Sequence, residues 1–205
     1  MKAKIRQFLD YYVVYVIVAV VVLGFVGYFV KTVVFDRKDV VLSVMILNDD
    51  TTLDTDQMEA DLREKLNITD DKQDITLSVM DSTAMGNNAV ILTRLRAQSV
   101  DLLITDQKAF DVYTEGAAYA NLNETLSDAL REQLQDGFVD GRAAIYDNEG
   151  NVTEYEDALL YGVDISDSER YQSYGSALTH VIAGIAVNAE HKEMAAEAMV
   201  YLYED

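Results

Sequence analysis

The most regular hydrophobic pattern in the chain is an uncharged stretch from Tyr11 to Val30, YYVVYVIVAVVVLGFVGYFV. Twenty residues of α-helix rise by about 30 Å, which matches the hydrocarbon core of a bilayer. Valine favours strands in water, but in lipid the backbone satisfies its own hydrogen bonds by forming a helix. Tyrosine and phenylalanine at both ends fit the aromatic belts of membrane interfaces. The pattern therefore predicts a transmembrane helix over residues 11–35, preceded by a cytoplasmic tail of residues 1–10.

Beyond residue 38, short apolar runs alternate with segments of helical periodicity. Asp54 and Gln57 fit the first turn of a helix as N-cap and N3 residues. The predicted elements are strand Val40–Leu47, helix 55–66, strand Ile75–Met80, helix Ala89–Gln98 capped by Asn87 or Asn88, strand Asp101–Thr105, and a short helix around Phe110–Tyr113. A βαβαβ order predicts an α/β fold with a mostly parallel sheet covered by helices on both faces.

The second half of the chain is less regular. Turn composition over Asp147–Asn151 predicts a β-hairpin, and Ser166 with Glu169 matches a capping box before a helical turn. The other predicted elements are helix Leu126–Leu134, hairpin strands Ala143–Tyr146 and Val152–Tyr155, strands Ala158–Val163 and His180–Val187, and a closing helix Lys192–Tyr203. The sequence shows neither an internal repeat nor a second domain boundary. Residues 39–205 are therefore predicted to form one three-layer domain with a mostly parallel, mixed sheet.

Charge also divides the chain. Residues 1–38 carry six basic and two acidic residues, whereas the remainder carries 10 basic and 34 acidic residues. A domain this acidic repels phosphate backbones, so the sequence argues against nucleic-acid binding.

The hydrophobic stretch is longer than the about 7–15 residues of a signal-peptide core, and no small-residue cleavage pattern follows it. We therefore expect an uncleaved signal anchor, with a cleaved signal peptide as the alternative. A short tail and a large following domain favour a single-pass protein of the cell membrane, with its N-terminus inside and its C-terminal domain extracytoplasmic.

Motifs of catalysis and of cofactor binding are missing from the sequence. The chain has no cysteine, which excludes disulfides, thiolate nucleophiles and thiolate metal sites. His180 and His191 lie apart and lack the partners of an HExxH motif, so a structural role is expected for both. No P-loop, GxGxxG or GxSxG pattern occurs. We predict no catalytic residues, no metal and no cofactor; a hydrolase using an aspartate pair is the least favoured alternative.

Two stretches resemble extracellular solute-binding proteins. In Asp101–Leu122, DLLITDQKAFDVYTEGAAYANL, an apolar strand precedes an acidic turn, a short helix and a phrase ending in leucine. In Ile182–Tyr203, IAGIAVNAEHKEMAAEAMVYLY, a strand ending in Val-Asn precedes an alanine-rich helix. With the βαβαβ order, these stretches are similar to one lobe of the type 2 periplasmic-binding fold. The combination also resembles small single-span proteins of Gram-positive bacteria that carry such a lobe on an N-terminal anchor.

The resemblance implies a non-enzymatic, membrane-tethered binding domain that is accessory to a transporter. Residues 39–205 are only about half the length that two lobes need, so a single lobe would leave a small solute largely exposed. Two alternatives therefore stay open. One is direct, weak binding of a small cationic or neutral solute, and the other is an envelope protein–protein interaction or structural role unrelated to transport.

Polar side chains directly follow each of the first three predicted strands. In open α/β sheets, ligands bind beyond the carboxyl ends of the strands. The candidate ligand-binding residues are therefore Asn48 and Asp49 after the first strand, Asp81 and Ser82 after the second, and Asp106 after the third. Loop solvation and helix capping are the alternative roles for these side chains.

Overall fold

The computed structural model describes Tyr15 and residues 17–29, 38–49 and 52–204. The chain divides into two compact units, Met1–Asp39 and Val40–Asp205. In the first unit, residues 17–29 are helical. Among the described residues, no helix has both the length and the apolar character needed to cross a membrane. The predicted tail 1–10 and part of the predicted transmembrane segment 11–35 lie outside the described residues, so membrane insertion stays a prediction.

The second unit is an α/β domain. Its strands are β1 Asp39–Leu47, β2 Gln73–Met80, β3 Leu102–Asp106, β4 Phe138–Gly141, β5 Ala144–Tyr146, β6 Val152–Tyr155, β7 Leu159–Asp164 and β8 Val181–Ile185. Its helices are α1 Thr55–Lys65, α2 Asn87–Arg96, α3 Gln107–Glu115, α4 Leu122–Thr125, α5 Asp128–Leu134, α6 Glu169–Ser173 and α7 Lys192–Tyr203.

Six strands form one mixed sheet in the order β2-β1-β3-β8-β7-β4, and β5 pairs with β6 in a separate hairpin. β1 and β3 are parallel. The N–H of Asn48, just after β1, donates to the carbonyl of Met80, the last residue of β2, at 2.9 Å. Both strands therefore end at the same edge of the sheet. β8 is antiparallel to β3 and β7, and β4 is antiparallel to β7. Four strands thus run one way, which confirms the predicted α/β fold with a mostly parallel, mixed sheet.

The core lies around β1, β3 and β8. Leu42 and Val44–Leu47 of β1 are fully buried, as the continuous apolar run predicts for a central strand. β3 and β8 are central strands too, since each has a hydrogen-bonded neighbour on both sides. Most of their residues are apolar because they are buried, as in β1. α7 packs against β8 with its small residues, among them Ala195 and Ala198, fully buried.

Local signals predicted one of three helix N-caps correctly. The Asp54 carboxylate accepts the Gln57 N–H at 2.9 Å, which confirms the predicted N-cap of α1. The predicted cap of α2 was wrong, because the N-cap is Gly86 in the left-handed conformation (φ 88°) and its side chain can make no capping bond. The predicted capping box at Ser166 was also wrong. The N-cap of α6 is Ser168, whose hydroxyl accepts the Tyr171 N–H at 3.1 Å.

Candidate functional site

All five candidate residues, Asn48, Asp49, Asp81, Ser82 and Asp106, line one cleft of about 640 Å³. The cleft lies at the carboxyl ends of β1, β2 and β3. From β1 the chain continues to β2 on one side, and then crosses to β3 on the other. This reversal of strand order is the topological switch point at which open α/β sheets bind ligands. The remaining cleft residues come from the loop after β2 and from α2 and α3: Thr83, Asn88, Lys108, Ala109, Val112 and Tyr113.

Asn48 holds the three strand ends together. Its backbone is left-handed (φ 64°), a conformation that asparagine tolerates better than most residues. Its Oδ1 accepts the Ser82 N–H at 2.8 Å, and its Nδ2 donates to Asp106 Oδ1 at 3.2 Å. The side-chain amide thereby links the loop after β2 to the start of α3. Asn48 shapes the cleft with both ends of its amide engaged.

Asp106 and Asp49 are also engaged with the protein. Asp106 is the N-cap of α3, and its Oδ1 accepts the Ala109 N–H at 2.7 Å. Asp49 accepts hydrogen bonds from the Tyr171 hydroxyl at 3.0 Å, the Ser176 hydroxyl at 2.6 Å and the Ala177 N–H at 2.8 Å. Burial, and then the Asp49 charge, raise the pKa of the Tyr171 phenol. Asp106 therefore caps α3, and Asp49 anchors the loop at Ser176 and Ala177. Both carboxylates also line the cleft, so their charges act on it.

Asp81 is the candidate carboxylate that faces solvent. Its Oδ1 accepts hydrogen bonds from the Thr83 hydroxyl at 2.6 Å and the Thr83 N–H at 2.8 Å. These bonds lower the pKa of the Asp81 carboxyl, so it is ionised at neutral pH. A carboxyl with a lowered pKa is a poor general acid. Asp81 is suited to hold a ligand charge rather than to transfer a proton.

Sequence reasoning missed the wall of the cleft that α3 provides. Tyr113 is buried, and its hydroxyl donates to Asn88 Oδ1 at 3.1 Å. Burial raises the pKa of the Tyr113 phenol, which keeps that donor protonated. Lys108 and Val112, like Ala109 and Tyr113, are four residues apart and share a helix face. That spacing, directly after the third strand, is the signal that could have identified this wall.

The charges of the cleft favour a cationic or neutral ligand. Among the described residues, three aspartates and a single lysine line it, so this part of the cleft has an excess of negative charge. Ala109, Val112 and the ring of Tyr113 add an apolar wall. Pockets of this mixed kind bind small molecules through apolar contact and orient them through a few polar groups.

No protein-family model matches the chain, and the comparisons with curated proteins and with solved structures likewise give no match. The chemistry of the cleft is therefore interpreted from its own residues.

Proposed function

We propose that this chain is a non-enzymatic, membrane-tethered binding domain that displays its cleft outside the cell. The observation that carries the proposal is the convergence of the five strand-end residues on one cleft at the switch point. The crossover through α1 leads from β1 to β2 on one side, and the crossover through α2 leads from β2 back past β1 to β3 on the other side. Right-handed connections would then place these helices on opposite faces of the sheet. Such a three-layer arrangement supports the likeness to one lobe of a type 2 periplasmic-binding protein.

The ligand in this proposal is a small polar solute that is cationic or neutral. Asp81 would hold a positive group or a hydrogen-bond donor, because it is ionised and exposed. Asn88 offers a side-chain amide, and Val112 offers apolar contact. A single lobe covers one side of the solute only, so the binding would be weak.

Residues 11–35 supply the tether, with residues 1–10 inside the cell and residues 39–205 outside it. Tethering raises the effective concentration of the domain near other membrane proteins, which suits an accessory of a transporter or of another envelope protein. Protease added to intact cells is expected to digest residues 39–205 while a cytoplasmic marker survives. Digestion that occurs only after lysis would place the domain inside the cell and exclude this role.

Binding of a solute is expected to raise the thermal stability of the domain, because a ligand that binds only the folded state stabilises it. At ten times its Kd the ligand adds about 1.4 kcal/mol, which shifts Tm by roughly 3–6 °C for a domain of this size. The measurement is thermal unfolding of the detergent-solubilised full chain, followed by circular dichroism. The solutes to be tested are sugars, amino acids, peptides and metal ions.

Matched variants separate a cleft ligand from one bound elsewhere. Asp81→Asn is expected to lose most of the shift caused by a cationic solute. Asp147→Asn is expected to keep it, since Asp147 is likewise exposed and hydrogen-bonded within a turn but lies outside the cleft. Each shift is compared with the Tm of the same variant without solute. A panel without any shift, or equal losses in both variants, would contradict solute binding in the cleft.

A further inference from the structure

The β5–β6 hairpin exposes apolar side chains, and none of its residues lines the cleft. The exposed fractions are 42% for Ile145, 51% for Tyr146, 43% for Val152 and 46% for Tyr155. The register pairs Tyr146 with Val152 and Ala144 with Tyr155, and a bulge between these pairs adds one residue to β6, so that Val152 and Tyr155 share a face although they are three residues apart. Cross-strand partners share a face, and so do alternate residues of one strand. Tyr146, Val152 and Tyr155 therefore form one apolar face, called here the hairpin face.

The hairpin is also short of partners within the domain. It is a two-stranded sheet that is not hydrogen-bonded into the six-stranded sheet. An isolated hairpin is only marginally stable in water, and its edges leave backbone groups ready to pair with another strand. These properties are those of a surface that gains stability when an extended segment joins it.

A pocket of about 380 Å³ lies between the base of the hairpin and α3. It is lined by Asp111, Thr114 and Glu115 of α3 and by Gly141, Arg142 and Tyr155. Thr114 is 3% exposed, and its Oγ1 has no hydrogen-bond partner among the described residues. The Thr114 Oγ1 atom itself is shielded from solvent, so the groups that the pocket offers to a bound segment are the carboxylates of Asp111 and Glu115.

The charges around this surface select the kind of partner. The segment from Arg142 to Asp157 holds one basic residue and five acidic ones, and the pocket adds Asp111 and Glu115. Two copies of this chain would repel each other here, and so would an anionic lipid surface. A segment that carries lysine or arginine complements the surface.

We propose that the hairpin face and its pocket dock an extended segment of a partner protein, in which basic residues alternate with aromatic or aliphatic ones. Period-two alternation presents the apolar side chains to the hairpin face while the backbone pairs with the hairpin edge. A basic side chain enters the pocket beside Glu115 and Asp111. This docking surface is additional to the cleft and does not depend on a solute.

Fluorescence anisotropy of a short labelled peptide alternating lysine with tyrosine and valine tests the proposal on the detergent-solubilised full chain. We expect saturable binding that weakens as salt is added. The same peptide with glutamate in place of lysine should not bind. Tyr146→Ser/Val152→Ser should weaken binding by about tenfold or more, since few central aromatic and apolar contacts carry most of such affinities. Glu115→Gln should also weaken binding, while glutamine keeps a side-chain oxygen that can accept the hydrogen bond of 3.4 Å from the Tyr155 hydroxyl of the hairpin.

Two controls should bind the lysine peptide like the unmodified chain. Val90→Ser removes an apolar side chain that is 47% exposed on α2, and Asp81→Asn alters only the cleft. No saturable binding, or equal binding by the hairpin and control variants with unchanged circular dichroism spectra, would overturn the proposal. Concentration-dependent dimerisation that Tyr146→Ser/Val152→Ser abolishes would assign the surface to a second copy and overturn it as well.

Discussion

Asp101→Ala is expected to lower the free energy of unfolding by about 3–5 kcal/mol, because it removes the acceptor of one buried and one part-buried backbone N–H at once. Asp101 is 2% exposed. Its Oδ2 accepts the buried Ser43 N–H at 2.9 Å, and its Oδ1 accepts the His191 N–H at 2.9 Å. Its backbone N–H donates to the Ser43 carbonyl, and its own carbonyl accepts the Ala186 N–H. One residue therefore ties β1 and the segment that follows β8 to the start of β3.

Urea unfolding of the detergent-solubilised full chain measures this loss. Asp101→Asn keeps one side-chain oxygen as an acceptor, so its loss should be clearly smaller than that of the alanine variant. Asp157→Ala, at an exposed position, should leave the free energy of unfolding unchanged. A loss below about 1 kcal/mol for Asp101→Ala, which is no more than an average single hydrogen bond, would show that the donors find water or other partners.

Asn48→Ala is expected to cost about 2–3 kcal/mol, since it removes two side-chain hydrogen bonds and puts alanine in a left-handed conformation. It should also reduce the Tm shift caused by a solute of the cleft. Without the amide, the Ser82 N–H and the Asp106 carboxylate lose the link that holds them in place. The loss of stability and the loss of the ligand response should appear together, in urea unfolding and in thermal unfolding with solute.

Two variants separate backbone strain from the hydrogen-bond network. Asn48→Gly keeps the positive φ without strain, so it should be less destabilising than Asn48→Ala by about 1 kcal/mol. Asn67 also has a positive φ (52°), and no side-chain hydrogen bond joins it to another described residue. Asn67→Ala should therefore lower the free energy of unfolding only by the cost of backbone strain, and it should leave the solute-induced Tm shift unchanged. If Asn48→Ala and Asn67→Ala had equal effects on the free energy of unfolding and on the solute-induced Tm shift, the hydrogen bonds of Asn48 would have no role in the cleft.

The first half of the domain could be predicted because its signals are local. The apolar run Val40–Leu47 becomes β1, and the Asp54 N-cap begins α1 as the sequence indicates. The closing helix has the predicted bounds, Lys192–Tyr203. β4, Phe138–Gly141, was missed, because four residues without clear alternation give no periodic signal.

The candidate site was predictable only in part. The strand ends placed Asn48, Asp81 and Asp106 at one edge, because parallel strands of a βαβ unit finish together. The role of Asp49 could not be predicted, since the Tyr171 hydroxyl that binds it comes from 122 residues away. A structural role was expected for His191, but its partner could not be predicted, because the Nδ1 contact of 3.3 Å is with Asp101, 90 residues away. Such long-range contacts are set by packing of the whole domain, which no local pattern encodes.

We propose that the cleft at the ends of β1, β2 and β3 binds the ligand. The most direct test of this proposal is to titrate the full chain with the stabilising solute and follow the backbone amide chemical shifts by NMR. We predict saturable changes that are largest at Ser82, Thr83 and Asn88, with little change at Tyr146 and Tyr155. Chemical-shift changes that are concentrated on the hairpin, or spread over the domain without a maximum at the cleft, would show that the solute does not bind in the cleft.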